Sequence, residues 1–492
     1  MNELLLYRAS EISRIEQLAI AKGISSEVLM EEAGKRIFVE LRKRWPQAKK
    51  LAVVCGSGNN GGDGYVVARL AKQAKLGVKI LRLVSDRDLT YETKKSAIRC
   101  RKLKINLKEF HDEELEDCDL IVDAIFGTGL RGLMETKFVQ AIEAINRRQI
   151  PVIAVDLPSG VNAETGAVLQ EAVHAAVTVT FIGKKLGLYL GAARDYVGEI
   201  VLDDLELPQT LFEASVPELK LLELATELKQ LPKRKLTANK GDFGHLLIVG
   251  GDYGMGGAVR LAAEGALRAG AGLVSVATRV EHVSSINAGR PEAMVYGIKS
   301  VSQLKPLLAR ATVILLGPGL GLGVWGKALF KAVIQTTKPI VLDGDGLNWL
   351  SSYPTVRNNW VLTPHAKEAA RLLGVEVAEV ETDRLGTLQQ LVAKYGGVGL
   401  LKGSGSLVAD TKTKVLCNVG NPGMAVGGMG DLLGGIIGGL AAQQLTLFAA
   451  AKLGCMVHGT AGDLVADQIG EVGMVTSDLL PWVSKLLVHK LN

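Results

Sequence analysis

The feature that most constrains this chain is a series of short segments that are apolar almost throughout. In the first half these are "LAVVC" from Leu51, "VKILRLV" from Val78, "LIVDAIF" from Leu120, "PVIAVDLP" from Pro151 and "AAVTVTFIG" from Ala175. A strand with one wet face alternates apolar and polar residues, whereas a strand covered on both faces does not. Stretches of helical spacing lie between the segments, and residues 11 to 45 read as helices with Ile12, Ile15, Leu18 and Ala19 on one face. A parallel sheet with helices on both sides is therefore expected. A second series runs through "GHLLIVGG" (244), "GLVSVAT" (272), "ATVILLGPG" (311), "KPIVLDGDG" (338), "NWVLTPH" (359) and "VGLLKGSGSLVAD" (398). The intervening segment, 207–239, has three prolines, a basic cluster and no strand-like run, which places a domain junction near residue 215. The expected fold class is α/β, with two three-layer αβα domains and no register of internal repetition.

Bulk properties narrow the function. A length of 492 residues suits two domains rather than one core, and 57 glycines with only 5% aromatics fit many tight strand-to-helix turns. The net charge of +6 is small, and no basic stripe interleaved with aromatics marks a nucleic-acid surface. Cys55, Cys100, Cys118, Cys417 and Cys455 form no CxxC pair and read as reduced thiols of a cytoplasmic protein. The N-terminus lacks a signal-peptide pattern, and the most lipid-like stretch, Leu432 to Ala442, is too short to span a membrane.

In parallel α/β sheets, ligands bind beyond the carboxyl ends of the strands, so the loops there carry the chemistry. "GSGNNGGDGY" (56–65) meets the spacing G-x-G-x-x-G, with a helix expected from near Gly64. Unlike a plain phosphate cradle, it inserts two amides and a carboxylate, Asn59 to Asp63. The same spacing recurs in "DAIFGTGLRG" (123–132), which shows how weak it is alone, and Arg131 there is a candidate phosphate partner. "VDLPSGVNAETG" places Asp156 at a strand end and Ser159 in the turn that follows. Asp63, Asp123 and Asp156 thus gather at one sheet edge, each able to act chemically or merely to cap a turn. The second strand lacks a clear acidic ribose-binding residue at its end, with only Asp86 nearby, which counts against an ordinary dehydrogenase.

In this order and spacing the three motifs resemble the NAD(P)H-hydrate epimerase domain, over roughly residues 1 to 215. The resemblance implies a Rossmann-like fold and interconversion of the R and S forms of hydrated NADH and NADPH. It implies that Asn59, Asn60, Gly61, Gly62 and Asp63, with Gly127, Thr128, Gly129, Leu130, Arg131, Gly132 and Leu133, bind the hydrated nucleotide. It also gives Asp156 as the acid/base and Asn60, Asp123 and Ser159 as ligands of a potassium ion, and these are hard oxygen donors suited to that cation.

The second half carries "NPGMAVGGMGDLLGGIIGGLAA" (421–442), a glycine turn leading through Asp431 into a long apolar helix. Main-chain N–H groups there can stabilise a transferring phosphoryl group, and Asp431 could take a proton from an attacking hydroxyl or serve only as a cap. His365, one of seven histidines, follows a strand end and is a candidate ligand or cap. No Walker loop occurs. With "GPGLG" (317–321), "DGDGLN" (343–348), "TPHAKEAARLL" (363–373) and "KGSGSLVAD" (402–410), this half resembles the ribokinase-like ADP- or ATP-dependent NAD(P)H-hydrate dehydratase domain over residues 226 to 492. Two loops depart locally from the family pattern, at Gly344 and Gly346 and at Ala366 and Lys367. The resemblance implies that Ala258, Gly319 and His365 contact the hydrate. It places the adenine nucleotide, ADP or ATP with a magnesium ion, on Lys402, Gly403, Ser404, Gly405, Ser406 and Gly430, and Asp431 at the reacting centre. A homo-oligomer is expected from the family's self-association. The alternatives are a small-molecule kinase of the ribokinase type and a non-catalytic nucleotide sensor.

Overall fold

A computed structural model describes residues 4–130, 132–213 and 215–488. The chain divides into two compact units, Met1–Lys220 and Leu221–Asn492.

In the first unit, β2 (Lys50–Cys55), β3 (Gly77–Arg82), β4 (Asn106–Glu109), β5 (Leu120–Ala124), β6 (Val152–Val155), β7 (Val177–Phe181) and β9 (Glu199–Asp203) form one sheet in the order β4-β3-β2-β5-β6-β7-β9. Every pairing is parallel. The largely apolar character of the inner strands β2, β5, β6 and β7 has a direct cause. Leu51, Val53 and Cys55 of β2 enter one core while Ala52 and Val54 enter another on the opposite face. Helices α1 (Ala9–Ala21), α2 (Ser26–Arg44), α3 (Asn59–Gln73), α4 (Tyr91–Lys102) and α5 (Thr136–Arg147) provide the covering. Beside the sheet, β1 (Leu5–Tyr7) pairs parallel with β8 (Lys184–Lys185) and antiparallel with β10 (Leu219–Leu221).

The second unit repeats the winding. Strands β11 (His245–Val249), β12 (Leu273–Thr278), β13 (Met294–Gly297), β14 (Val313–Leu316), β15 (Ile340–Leu342), β16 (Trp360–Leu362) and β17 (Val398–Leu401) run parallel in the order β13-β12-β11-β14-β15-β16-β17. The antiparallel strands β18 (Ser406–Ala409) and β19 (Lys414–Cys417) extend it. In both units the strand order reverses beside the first strand of the sheet, between β2 and β5 and between β11 and β14. A crevice opens at such a switch point, at the carboxyl ends of the strands. The mixed α/β, two-unit architecture is the one expected.

Two local expectations are corrected. The stretch 207–239 does contain a strand, β10, and a helix, Leu224–Leu228. With three residues, β10 is too short to give a pattern. Helix α3 begins at Asn59 rather than near Gly64, so "NNGGD" is its first turn and not a loop. Gly58 is the extended N-cap, and the Gly62 N–H already donates to the Gly58 carbonyl at 3.2 Å. The glycines that suggested a loop answer to packing instead. A Cβ on Gly61 would lie 2.3 Å from the Gly56 carbonyl oxygen, and one on Gly56 would lie 2.0 Å from that of Ile125.

Candidate active sites

The crevice of the first unit is a cavity of about 660 Å³. It is lined by Asn59, Asn60 and Asp63 from the start of α3, by Gly127, Thr128, Gly129 and Leu130 from the loop after β5, and by Asp156 after β6. Gly61 and Gly62 pack inward, and Gly132 and Leu133 lie off the lining, Leu133 being 83% exposed. Arg131 lies outside the described residues.

Asp156 sits in left-handed backbone, φ 67°, which costs a non-glycine residue about 1 kcal/mol or more but which aspartate tolerates better than most. The surroundings hold it there. Its N–H donates to the Val179 carbonyl at 2.8 Å. Its Oδ1 accepts from the Lys185 ammonium, from Thr180 Oγ1 at 3.1 Å and from the Phe181 N–H at 3.4 Å. All three donors use one oxygen, so Oδ2 is left for a ligand in the cavity. Lys185 is 1% exposed and also donates to Thr180 Oγ1 and the Phe181 carbonyl. Sequence reasoning passed it over, and the only signal was its place in "FIGKKLG" just beyond a strand. Glu16 of α1 lines the cavity too and was likewise missed. Burial, and then the Asp156 charge, push the Asp63 carboxyl well above the ordinary carboxylate range. The same two causes raise Glu16.

Behind the lining, Asp123 is fully buried and accepts from the Ser159 hydroxyl at 2.6 Å, the Ser159 N–H at 2.8 Å and the Ile125 N–H at 3.2 Å. Burial pushes its pKa up to about 6, against the pull of these bonds. The Phe126 N–H donates to Ser159 Oγ, and a Cβ on Gly127 would be 3.2 Å from Asn60 Oδ1. Asn60, Asp123 and Ser159 are therefore neighbours around the Phe126–Gly127 turn. Asn60 Nδ2 is buried with no hydrogen-bond partner among the described residues, a donor left unused there. No cluster of three or more His, Cys, Asp or Glu side chains suited to a metal occurs among the described residues. A mixed amide, carboxylate and hydroxyl set fits an alkali cation better than a transition metal.

The second site is built on β15, β16 and β17. Asp343 closes β15 and accepts from Lys402 Nζ at 2.8 Å and from Thr363 Oγ1 at 2.6 Å, both on Oδ1. Burial works against the Lys402 ammonium, but Asp343, Glu368 and Asp431 outweigh it and hold its pKa above the ordinary value. Helix Met429–Ala442 starts over this pair: its N-cap, Gly428, has φ 90°, and a Cβ on Gly430 would lie 3.2 Å from Lys402 Nζ. Asp431, in the first turn, is not the cap, and its carboxyl has no hydrogen-bond partner among the described residues. Burial first, then the Asp343 charge, push its pKa to about 7.

The surrounding loops hold this centre in place. His365 caps helix Ala366–Leu373: its Nδ1 accepts from the Lys367 and Glu368 N–H groups, while Glu368 Oε2 accepts from the His365 N–H. Burial lowers the imidazole pKa, so the neutral ring is favoured. Asp345 accepts from the Gly321 N–H at 2.8 Å, and Asn348 accepts from Arg371. Gly319 and Ala258 adjoin, since a Cβ on Gly319 would be 3.4 Å from that of Ala258. Lys402 to Ser406 form the turn from β17 into β18, with Gly403 and Ser404 exposed. Buried Arg384 supports the turn by donating to the Lys402 carbonyl at 2.9 Å.

The family model described as NAD(P)H-hydrate dehydratase matches residues 246–484, and that described as YjeF-related protein N-terminus matches residues 26–187. The bifunctional NAD(P)H-hydrate repair enzyme of Coxiella burnetii is 45% identical over 484 residues, covering 98% of this chain and 99% of its own. That of Escherichia coli is 43% identical, covering 98% and 94%. A ribokinase-like protein of Enterococcus faecalis superposes with a TM-score of 0.51 at 28% identity, covering 55% of this chain and 95% of its own. No helix among the described residues is long and apolar enough to cross a membrane. The chain belongs to the family of bifunctional NAD(P)H-hydrate repair enzymes.

Proposed function

We propose that the two sites share the repair of hydrated NADH and NADPH: the first exchanges the R and S epimers, and the second dehydrates the S form at the expense of ADP or ATP. Hydration of an enamine protonates its β carbon and leaves the hydroxyl on the carbon bonded to nitrogen, so the substrate is a cyclic hemiaminal. In the first cavity, Asn59, Asn60 and Asp63 with Gly127 to Leu130 hold the nucleotide and Asp156 Oδ2 faces the hydroxyl for proton transfer. Asn60, Asp123 and Ser159 would hold potassium, which would fix the turn beside the ligand.

In the second site, Ala258, Gly319 and His365 position the hydrate, and Lys402 to Ser406 with Gly430 hold the nucleotide. Asp431 takes the hydroxyl proton as that oxygen attacks the terminal phosphoryl group and the bond to the departing nucleotide breaks. Hydroxide leaves poorly and phosphate well. Phosphate then departs with the C–O bonding pair, the ring nitrogen lone pair forms a C=N bond, and loss of the adjacent C–H proton restores the dihydropyridine. The carboxylates around Lys402 make no ready-made cage, which suits magnesium arriving with the phosphates and neutralising their charge. Five buried free thiols fit a reducing, cytoplasmic setting.

The observation that carries the dehydratase reading is the unpartnered Asp431 carboxyl at a helix N-terminus above the Lys402–Asp343 pair. The test is to supply both epimers with potassium, magnesium and ADP or ATP in turn, following reduced-nicotinamide absorbance and free phosphate. Complete recovery with stoichiometric phosphate is expected. A stable phosphorylated product would instead identify a kinase.

A further inference from the structure

Epimerising a hemiaminal moves its oxygen from one face of the ring to the other. The hydroxyl must receive a proton to leave as water, and the water that adds opposite must lose one. Asp156 alone can serve only one of these partners at a time. A second carboxyl reaches the same cavity from a different element. Glu16 lies on α1, one position past buried Ile15 and four past Ile12, which turns it toward the lining. It is half-buried, and its carboxyl makes no hydrogen bond or ion pair among the described residues. A carboxylate kept from water without a partner costs stability unless it is used or protonated. The charged groups that face it are Asp156, Lys185 and Asp63, so two carboxyls flank a third that already has its own ammonium.

Building on the epimerase site proposed above, we propose that Glu16 is the second proton-transfer group of the epimerase, working opposite Asp156. In one direction Glu16 gives its proton to the hydroxyl. The C–O bond breaks to release water, and the ring nitrogen lone pair forms a C=N bond. Water adds to the other face, the C=N electron pair returns to nitrogen, and Asp156 accepts the proton. The reverse direction exchanges the two roles, so the pair must hold one proton in all.

The test is epimer exchange by the full chain, with R and S forms separated by chromatography and the spontaneous rate subtracted. Glu16→Gln should lower kcat about 100-fold, the lower range for general acid–base catalysis. It should leave nucleotide-dependent dehydration of the S form, carried by the other unit, unchanged, and thermal melting of the isolated full chain checks that the first unit is folded. The fall in rate at alkaline pH, where the donor loses its proton, should vanish in Glu16→Gln and persist in Glu16→Asp. Should Glu16→Gln fail to fold, Glu16→Ala with added formate replaces it, and regained activity is expected. A Gln variant within threefold of the parent, an alkaline fall that survives in it and so belongs to Asp63, or a folded Ala variant that formate does not restore would overturn the proposal. Asp156→Asn, run in parallel, separates the two ideas: if it too leaves exchange intact, the site reading itself fails.

Discussion

The two units wind their sheets in the same order and place a crevice at the same reversal, yet they arm it differently. Each has a lysine paired to an aspartate at a strand end, Lys185 with Asp156 and Lys402 with Asp343, and each adds carboxyls that burial and neighbouring charge have raised. In the first unit the paired aspartate itself faces the ligand. In the second the paired aspartate is spent on structure, and the free carboxyl, Asp431, arrives on a separate glycine-rich helix. Moving a hydroxyl from one face of a carbon to the other needs carboxyls of fixed position to give and take protons at oxygen. Phosphoryl transfer also needs main-chain N–H groups where charge develops, which a helix start supplies.

Exchanging the aspartates gives the largest expected effect. Asp431→Asn should lower nucleotide-dependent dehydration by about 10³-fold or more, within the range for general acid–base catalysis, with epimer exchange within twofold of the parent. Asp156→Asn should do the opposite, and loss of both activities in a folded variant would break the division of labour. Next are the lysines. Lys185→Met and Lys402→Met each strand a buried carboxylate, a loss of about 3–5 kcal/mol for fully buried pairs. In urea unfolding Lys402→Met should cost more, because the carboxylate it strands, Asp343, has a side chain 4% exposed against 15% for Asp156. Third, Asp431 must be ionised to accept a proton, so dehydration should rise with pH through about 7 and level off above, while the residual rate of Asp431→Asn stays flat. Last is the pH dependence of stability. The folded state holds the Asp431 proton to about 7 against 3.8 for the free side chain, so stability falls as pH rises through that window. Asp431→Asn should therefore melt higher than the parent at pH 8 and alike at pH 3.5; equal melting at pH 8 would remove Asp431 from the raised group.

The inner strands were legible because strands buried on both faces cannot hide their composition, and the strand-end motifs located both crevices; the edge strands β4, β9 and β13 were missed because they are short and only partly buried. What the sequence obscured follows from distance and periodicity. Glu16 is 140 positions from Asp156 in the chain, and in an amphipathic helix it reads as an ordinary polar position. Lys185 looks like a surface lysine beside Lys184, because only the fold shows that it is buried under Asp156. The first turn of α3 was mistaken for loop because glycines that serve close packing resemble glycines that serve flexibility. His365 was recognised as a strand-end histidine, but its capping of the next helix depends on a reciprocal bond from Glu368 that spacing only permits.

The backbone under Asp156 limits what evolution or an engineer can place there. At φ 67° the short, self-bonding side chains of aspartate and asparagine are among the few tolerated, so lengthening the acid to glutamate would disturb the main chain as well as the chemistry. Asp431, in regular helix, meets no such restriction and could drift to glutamate with only the reach of its carboxyl altered. One acidic position is thus locked by conformation and the other by catalysis alone.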